Sequence, residues 1–176
     1  MDKGFVVWLT GLPKSGKTTI ANGLAEKLRH RRFKVEVLDG NEVRQRLSPD
    51  LGFSKADREA HARRVTYISK ILSRNGVAVI VALISPYRSF REHARAEIKN
   101  FVEVWVKCPV ETCMERDREG LYKKALEGKI GDMTGVNDPY EEPLNPEVAV
   151  DTERETPEES AAKIIEKLER LGHIKK

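Results

Sequence analysis

Residues 11–18, Gly11-Leu12-Pro13-Lys14-Ser15-Gly16-Lys17-Thr18, combine the residue types that handle phosphate. Gly11 and Gly16 let the backbone turn tightly enough for successive N–H groups to surround phosphate oxygens, and Lys17 brings a cation within reach of β- and γ-phosphates. The Thr18 hydroxyl is the group expected to bind Mg2+ beside them. The flanks fit this reading. The apolar run 5–9 reads as a strand and 17–28 has helical spacing, so the loop opens onto a helix N-terminus whose partial positive charge adds to the site. Thr19, in that first turn, completes the residues expected to hold ATP.

A phosphate loop of this kind works with an acid. Segment 34–39 reads as a short second strand that stops at Asp39, before Gly40. An acid at the carboxyl end of a strand in an α/β sheet points into the crevice where ligands bind; the plain alternative is a turn former before glycine. Beside a phosphate loop, Asp39 is expected to accept a hydroxyl proton or hold a metal-bound water. The apolar run 77–84 has the signature of a central parallel strand covered on both faces. It leads into Ser85-Pro86-Tyr87-Arg88, where a Walker B strand would end in Asp, so the metal acid must come from elsewhere and Asp39 is the supplier.

The remaining elements position these groups. Residues 41–55 contain two polar or irregular stretches, with Ser54 an N-cap for a helix over 55–74 that ends at Asn75-Gly76. Arg58, His61 and Arg64 share a face of that helix by their three-residue spacing, and alone such a face is a solvated surface. Helix is expected over 88–99, strand over 101–106, and one helical segment over 110–128, interrupted at Gly120. The middle of that segment holds Arg116, Arg118, Lys123 and Lys124, which form either a solvated surface or part of a mobile cover at about 115–145 that neutralises a triphosphate. A Gly-, Pro-, Asn- and Asp-rich loop follows at 131–146, then a fifth strand over 147–151. A last helix starts at Thr156-Pro157 and runs to about Leu171. Five alternations of strand and helix predict an α/β fold: a five-stranded parallel sheet with helices on both faces, in one domain spanning 1–176.

Composition narrows the function. The chain has 176 residues, 32 basic and 28 acidic, mixed along its length, so its net charge of +4 describes no nucleic-acid-binding stripe. Small anionic substrates fit better. Cys108 and Cys113 match no metal-ligand spacing and read as structural thiols of a reduced cytoplasm. The N-terminus enters the first strand without a signal-like segment, and no apolar run approaches a membrane span. A guanine-recognising Asn-Lys-x-Asp stretch is missing, which disfavours a GTPase.

Several short stretches occur together: the phosphate loop, Leu38 to Arg44, Leu51 to Ser54 with Asp57-Arg58 and Arg63-Arg64, Ile84 to Arg88, Arg116-Asp117 with Gly120 to Lys124, and Thr134 to Glu141. By these the chain resembles the adenylylsulfate kinases, P-loop enzymes that phosphorylate the 3′-hydroxyl of adenosine 5′-phosphosulfate. The resemblance implies that Arg44 and Arg58 contact the phosphosulfate, that Phe53 stacks on the adenine, and that His61, Ile84, Ser85, Lys123 and Met133 also line the acceptor site. Lys17, Asp39 and Ser85 are its catalytic positions, with Arg116 and Arg118 on the donor nucleotide and Thr18 and Asp39 on the metal. Ser85 matches a serine that some members phosphorylate, but direct in-line transfer needs no covalent step. Three positions depart from the family pattern: Asn41 in place of Asp, His61 in place of Asn, and Met133 in place of Phe. They surround the acceptor nucleoside, so another nucleotide-linked anion is the alternative acceptor. A nucleotide-binding module without catalysis is the reading from a different class. Relatives commonly form homodimers.

Overall fold

The computed structural model describes residues 4–175; residues 1–3 and Lys176, part of the expected domain, lie outside the described residues. Strands β1 (Phe5–Thr10), β2 (Val35–Asp39), β3 (Ala78–Ala82), β4 (Phe101–Lys107) and β5 (Val148–Asp151) form one parallel sheet in the order β2-β3-β1-β4-β5. Helices α1 (Lys17–His30), α2 (Gly40–Leu47), α3 (Lys55–Arg74), α4 (Arg88–Glu97), α5 (Val110–Arg116), α6 (Leu121–Leu126) and α7 (Pro157–Arg170) make the connections.

The alternation of side chains along β1 explains why helices cover both faces. Phe5, Val7 and Leu9 point into one core with Ile20, Leu24 and Leu28 of α1 and Ile164 and Leu168 of α7. Val6 and Trp8 point into the other, with Val65 of α3 and Ala94 of α4. β1 and β3 are buried along their whole length, as a continuous apolar run predicts, whereas the edge strand β2 is half-buried. A third, smaller core gathers Cys108, Cys113, Tyr122, Ala125 and Met133 against Leu12 of the phosphate loop.

Two expectations need correction. Residues 40–47 are not irregular but form α2, whose N-terminus is capped by the Asp39 carboxylate accepting from the Asn41 N–H at 3.2 Å. Val43 and Leu47 of α2, one turn apart, pack on the second core, and none of its residues is buried, which leaves little apolar signal to read. The segment 110–128 is interrupted at Gly120 as expected, but the break is complete and leaves two short helices, α5 and α6. Gly120 at φ 70° supplies the left-handed turn between them, and Asp117 accepts from the Tyr122 N–H at 2.8 Å.

Candidate active site

The carboxyl ends of the three central and flanking strands deliver the site: β1 runs into the phosphate loop, β2 ends at Asp39, and β3 runs on to Ser85. Gly11 has no room for a side chain, since a Cβ there would lie 2.5 Å from the Val106 carbonyl oxygen. Gly16, at φ 103°, makes the left-handed turn that starts α1. Thr18 and Thr19 sit exposed in the first turn of α1, at the helix's positive end.

Lys17 lies folded inside the loop. Its ammonium donates to the Gly11 carbonyl at 3.0 Å, the Leu12 carbonyl at 2.7 Å and the Ser15 hydroxyl at 3.4 Å. Burial lowers its pKa to about 8, against the opposing pull of Cys113, Asp39 and Cys108. Cys108 and Cys113 are free, buried thiols; burial first, then Cys108, pushes Cys113 up to about 12, so it stays protonated.

Thr18 and Asp39, 21 positions apart in sequence, meet: the hydroxyl donates to the Asp39 Oδ2 at 2.6 Å. One carboxylate oxygen thus faces Thr18 while the other caps α2. A hydroxyl and a single carboxylate are the ligand types Mg2+ takes alongside phosphate oxygens and waters. No group of three His, Cys, Asp or Glu side chains that would form an all-protein metal cage occurs among the described residues. The pair therefore fits Mg2+ held jointly with a nucleotide.

Cations and ring systems approach from the other elements. Arg116, at the end of α5, reaches across to Thr152, donating to its carbonyl at 2.6 Å and its hydroxyl at 3.1 Å, and lies 3.4 Å from the Ser15 carbonyl oxygen. Tyr122 of α6 donates to the Pro13 carbonyl at 2.8 Å, and Lys14 pairs with Glu119 at 3.1 Å, so the 110–136 region is fastened to the phosphate loop at both ends of its turn. Arg118 and Lys123 are exposed on that region. Phe53 is 56 % exposed, with the Arg44 guanidinium 4.7 Å and the Arg58 guanidinium 5.5 Å from its ring centre. Arg58 also donates to the Asp132 carbonyl at 2.6 Å, joining α3 to the loop that carries Met133. Met133 itself is buried in the third core.

Ser85 and Ile84 lie beneath the site. Ser85 is buried at φ 40°, its hydroxyl accepting from the Trp8 indole N–H at 2.9 Å, and its carbonyl accepting from Arg91 at 2.5 Å. The Ile84 carbonyl accepts from the Thr10 hydroxyl at 2.7 Å. Asn41 is exposed on α2. Beyond the predicted set, Ser48 bonds the buried His61, and Arg64 pairs with Asp50 at 2.6 and 2.7 Å. Only the Arg64 position had a signal in the helix-face spacing. A cleft of about 360 Å³ opens beside the phosphate loop, lined by Leu12, Trp105, Tyr140, Asp151 and Arg154 among others.

A phosphate loop after the first strand of a 2-3-1-4-5 parallel sheet, with a hydroxyl–carboxylate pair beside it, defines a P-loop nucleotide-binding protein of the kinase type. Within that class the affiliation is specific: residues 3–151 match the family model described as "Adenylylsulphate kinase", and the chain belongs to that family. An adenylyl-sulfate kinase of Rippkaea orientalis is 52% identical over 175 residues, 99% of this chain and 97% of that protein. A probable bifunctional SAT/APS kinase 2 of Sorangium cellulosum is 54% identical over 97% of this chain, which spans only 29% of that longer protein. The Mycobacterium tuberculosis APS kinase in complex with AMPPNP and APS superposes with a TM-score of 0.91 at 37% identity, covering 96% of this chain and 99% of that one.

Proposed function

We propose that the protein transfers the γ-phosphoryl group of ATP to the 3′-hydroxyl of adenosine 5′-phosphosulfate, giving 3′-phosphoadenosine 5′-phosphosulfate and ADP. The observation that carries the reading is the convergence of Lys17, Thr18 and Asp39 at one end of the sheet, in a chain of this family. In this reading the loop N–H groups and the N-terminus of α1 hold the donor phosphates, and Lys17 exchanges its carbonyl partners for phosphate oxygens. Thr18 and Asp39 would hold Mg2+, whose chemistry is to screen the charge of the phosphate oxygens. Asp39 also accepts or orients the proton of the attacking hydroxyl. Arg44 and Arg58, already gathered at Phe53, take the anionic end of the acceptor, and Phe53 offers an exposed face to its base. By the resemblance, Arg116 and Arg118 are assigned to the donor nucleotide and Lys123 to the acceptor. Ser85 acts as a support of the floor, since its hydroxyl is occupied by Trp8.

Steady-state ADP formation with Mg-ATP and adenosine 5′-phosphosulfate tests the reading, beside a Lys17→Ala control and a blank without acceptor. Acceptor-dependent ADP that disappears in the control is the expected result. No turnover while ATP still binds would refute it, and a panel of other nucleotide-linked anions would then be assayed, since Asn41, His61 and Met133 motivate that second reading. A homodimer is the assembly the resemblance favours, and light scattering in solution reads it directly. Cytoplasmic localisation is part of the same proposal.

A further inference from the structure

The second helix pair holds a polar chain that the transfer chemistry does not use. His61 of α3 is 5 % exposed, and its Nδ1 lies 2.8 Å from the Ser48 hydroxyl, itself 1 % exposed. The other ring nitrogen, Nε2, is buried with no hydrogen-bond partner among the described residues, and so is Nη1 of Arg44 on α2. Arg64 stands behind Ser48: its Nη1 donates to the Leu47 carbonyl at 3.0 Å and to Asp50 at 2.6 Å, and lies 3.4 Å from the Ser48 hydroxyl.

The proton can be placed by elimination. A guanidinium only donates, so Ser48 can only accept from Arg64. The Ser48 hydroxyl hydrogen is buried and needs an acceptor, and among the described residues the one within reach is His61 Nδ1. Nδ1 is therefore the acceptor, and the proton of a neutral ring sits on Nε2. A second proton is opposed from every side: burial, then Arg44 from α2 and Arg64 and Arg58 from α3, lower the pKa of His61 to about 4. The result is an N–H fixed in direction and without a partner among the described residues, as is Nη1 of Arg44, whose charge acts on the same ring. A buried donor left without a partner is destabilising, and a ligand oxygen removes that cost.

We propose that Ser48, braced by the Arg64–Asp50 pair, is a positioning residue that holds His61 as a neutral Nε2–H donor to an anionic oxygen of the acceptor nucleotide. The ligand named here rests on the function proposed above. The arrangement is a specificity device, because a site built around a buried donor rejects analogues lacking the matching oxygen more strongly than an apolar site rejects an extra group.

Nitrogen-15 spectra of the histidines, with His61 assigned by its disappearance in His61→Gln, read the proton position without any activity. The expected result is a neutral Nε2–H ring in the wild type at pH 7, and a mixture of tautomers in Ser48→Ala. Kinetically, Ser48→Ala raises KM for the acceptor by about tenfold, one net hydrogen bond, with kcat and KM for ATP within about twofold. His61→Leu raises it at least as much, and His61→Gln, whose amide nitrogen reaches the same side, restores most of the loss. An Nδ1–H ring or an imidazolium in the wild type overturns the proposal, as does an unchanged acceptor KM in both Ser48→Ala and His61→Leu. Absence of turnover with adenosine 5′-phosphosulfate in the wild type instead defeats the functional reading and the ligand with it, while the spectrum still decides the proton's position, so the two failures are told apart.

Discussion

At the scale of single residues, the site is held together by groups that satisfy one another until a nucleotide replaces one partner. Lys17 spends its three N–H bonds on Gly11, Leu12 and Ser15. With its folded pKa about 8 and its ordinary value 10.5, it loses its proton before the unfolded chain does, so between those values its contribution to stability rises with pH. Phosphate oxygens stabilise the charged form, so ATP binding at pH 8–9 takes up a proton. Calorimetry in two buffers of different ionisation heat measures this, and identical apparent enthalpies in both would disprove it. Asp39→Asn keeps the cap on α2 and a polar neighbour for Thr18 but removes the charge. ATP binding is expected to remain largely intact while kcat falls by about a hundredfold or more, the usual weight of a lost proton acceptor; undiminished single-turnover rates would remove Asp39 from the mechanism. These residues were legible because their types and spacing are tied to one chemistry. Ser48 was not, because a serine after a leucine carries no pattern, and its meaning comes from a histidine 13 positions away that folding brings beside it.

At the scale of elements, the strands and long helices were readable and the short helices were not. α3 begins and ends where Ser54 and Asn75-Gly76 predict, with the Ser54 hydroxyl accepting from the Asp57 N–H at 3.1 Å. α7 carries a complete capping box: Thr156 accepts from the Glu159 N–H at 3.2 Å, and Glu159 accepts from the Thr156 N–H at 2.8 Å. Thr156→Ala should lower stability by about 1 kcal/mol and Tm by about 2–4 °C, measured by thermal denaturation, with no change in activity. α2 escaped notice because its eight residues, Gly40–Leu47, are mostly polar and begin with two poor helix formers. Its start is set by Asp39, the same side chain that meets Thr18, so an acid read only as chemistry was also punctuation. The division between α5 and α6 depends on a left-handed Gly120, which the sequence marks as an interruption, and on Asp117, whose bond to the Tyr122 N–H has no sequence pattern.

Across the whole molecule, alternation of strand and helix gave the parallel sheet, but the order of strands and the ties between distant segments depend on long-range contacts. Arg91 is the clearest such tie. It is 2 % exposed and bonds Glu103 of β4 at 3.1 Å, the Ser85 carbonyl at 2.5 Å and the Glu141 carbonyl at 2.5 Å. One side chain of α4 therefore joins the neighbouring strand, the turn after β3 and the loop before β5. Burial raises the pKa of Glu103 against the opposing pull of Arg91 and Arg95, so removing the arginine leaves a carboxylate with little compensation. Arg91→Leu is expected to cost about 3–5 kcal/mol in urea denaturation, and Arg91→Leu with Glu103→Leu to recover much of it; equal losses would show that the contact is not an energetic pair.

The bond between the Trp8 indole and Ser85 gives the molecule an optical voice. The chain has two tryptophans, one wholly buried and hydrogen-bonded to the turn under the phosphate loop, the other, Trp105, on the wall of the cleft. An event that lifts Ser85 off the floor releases that indole, and its emission then changes colour and becomes open to quenchers. Unlabelled protein thus carries its own lamp at the turn under the phosphate loop.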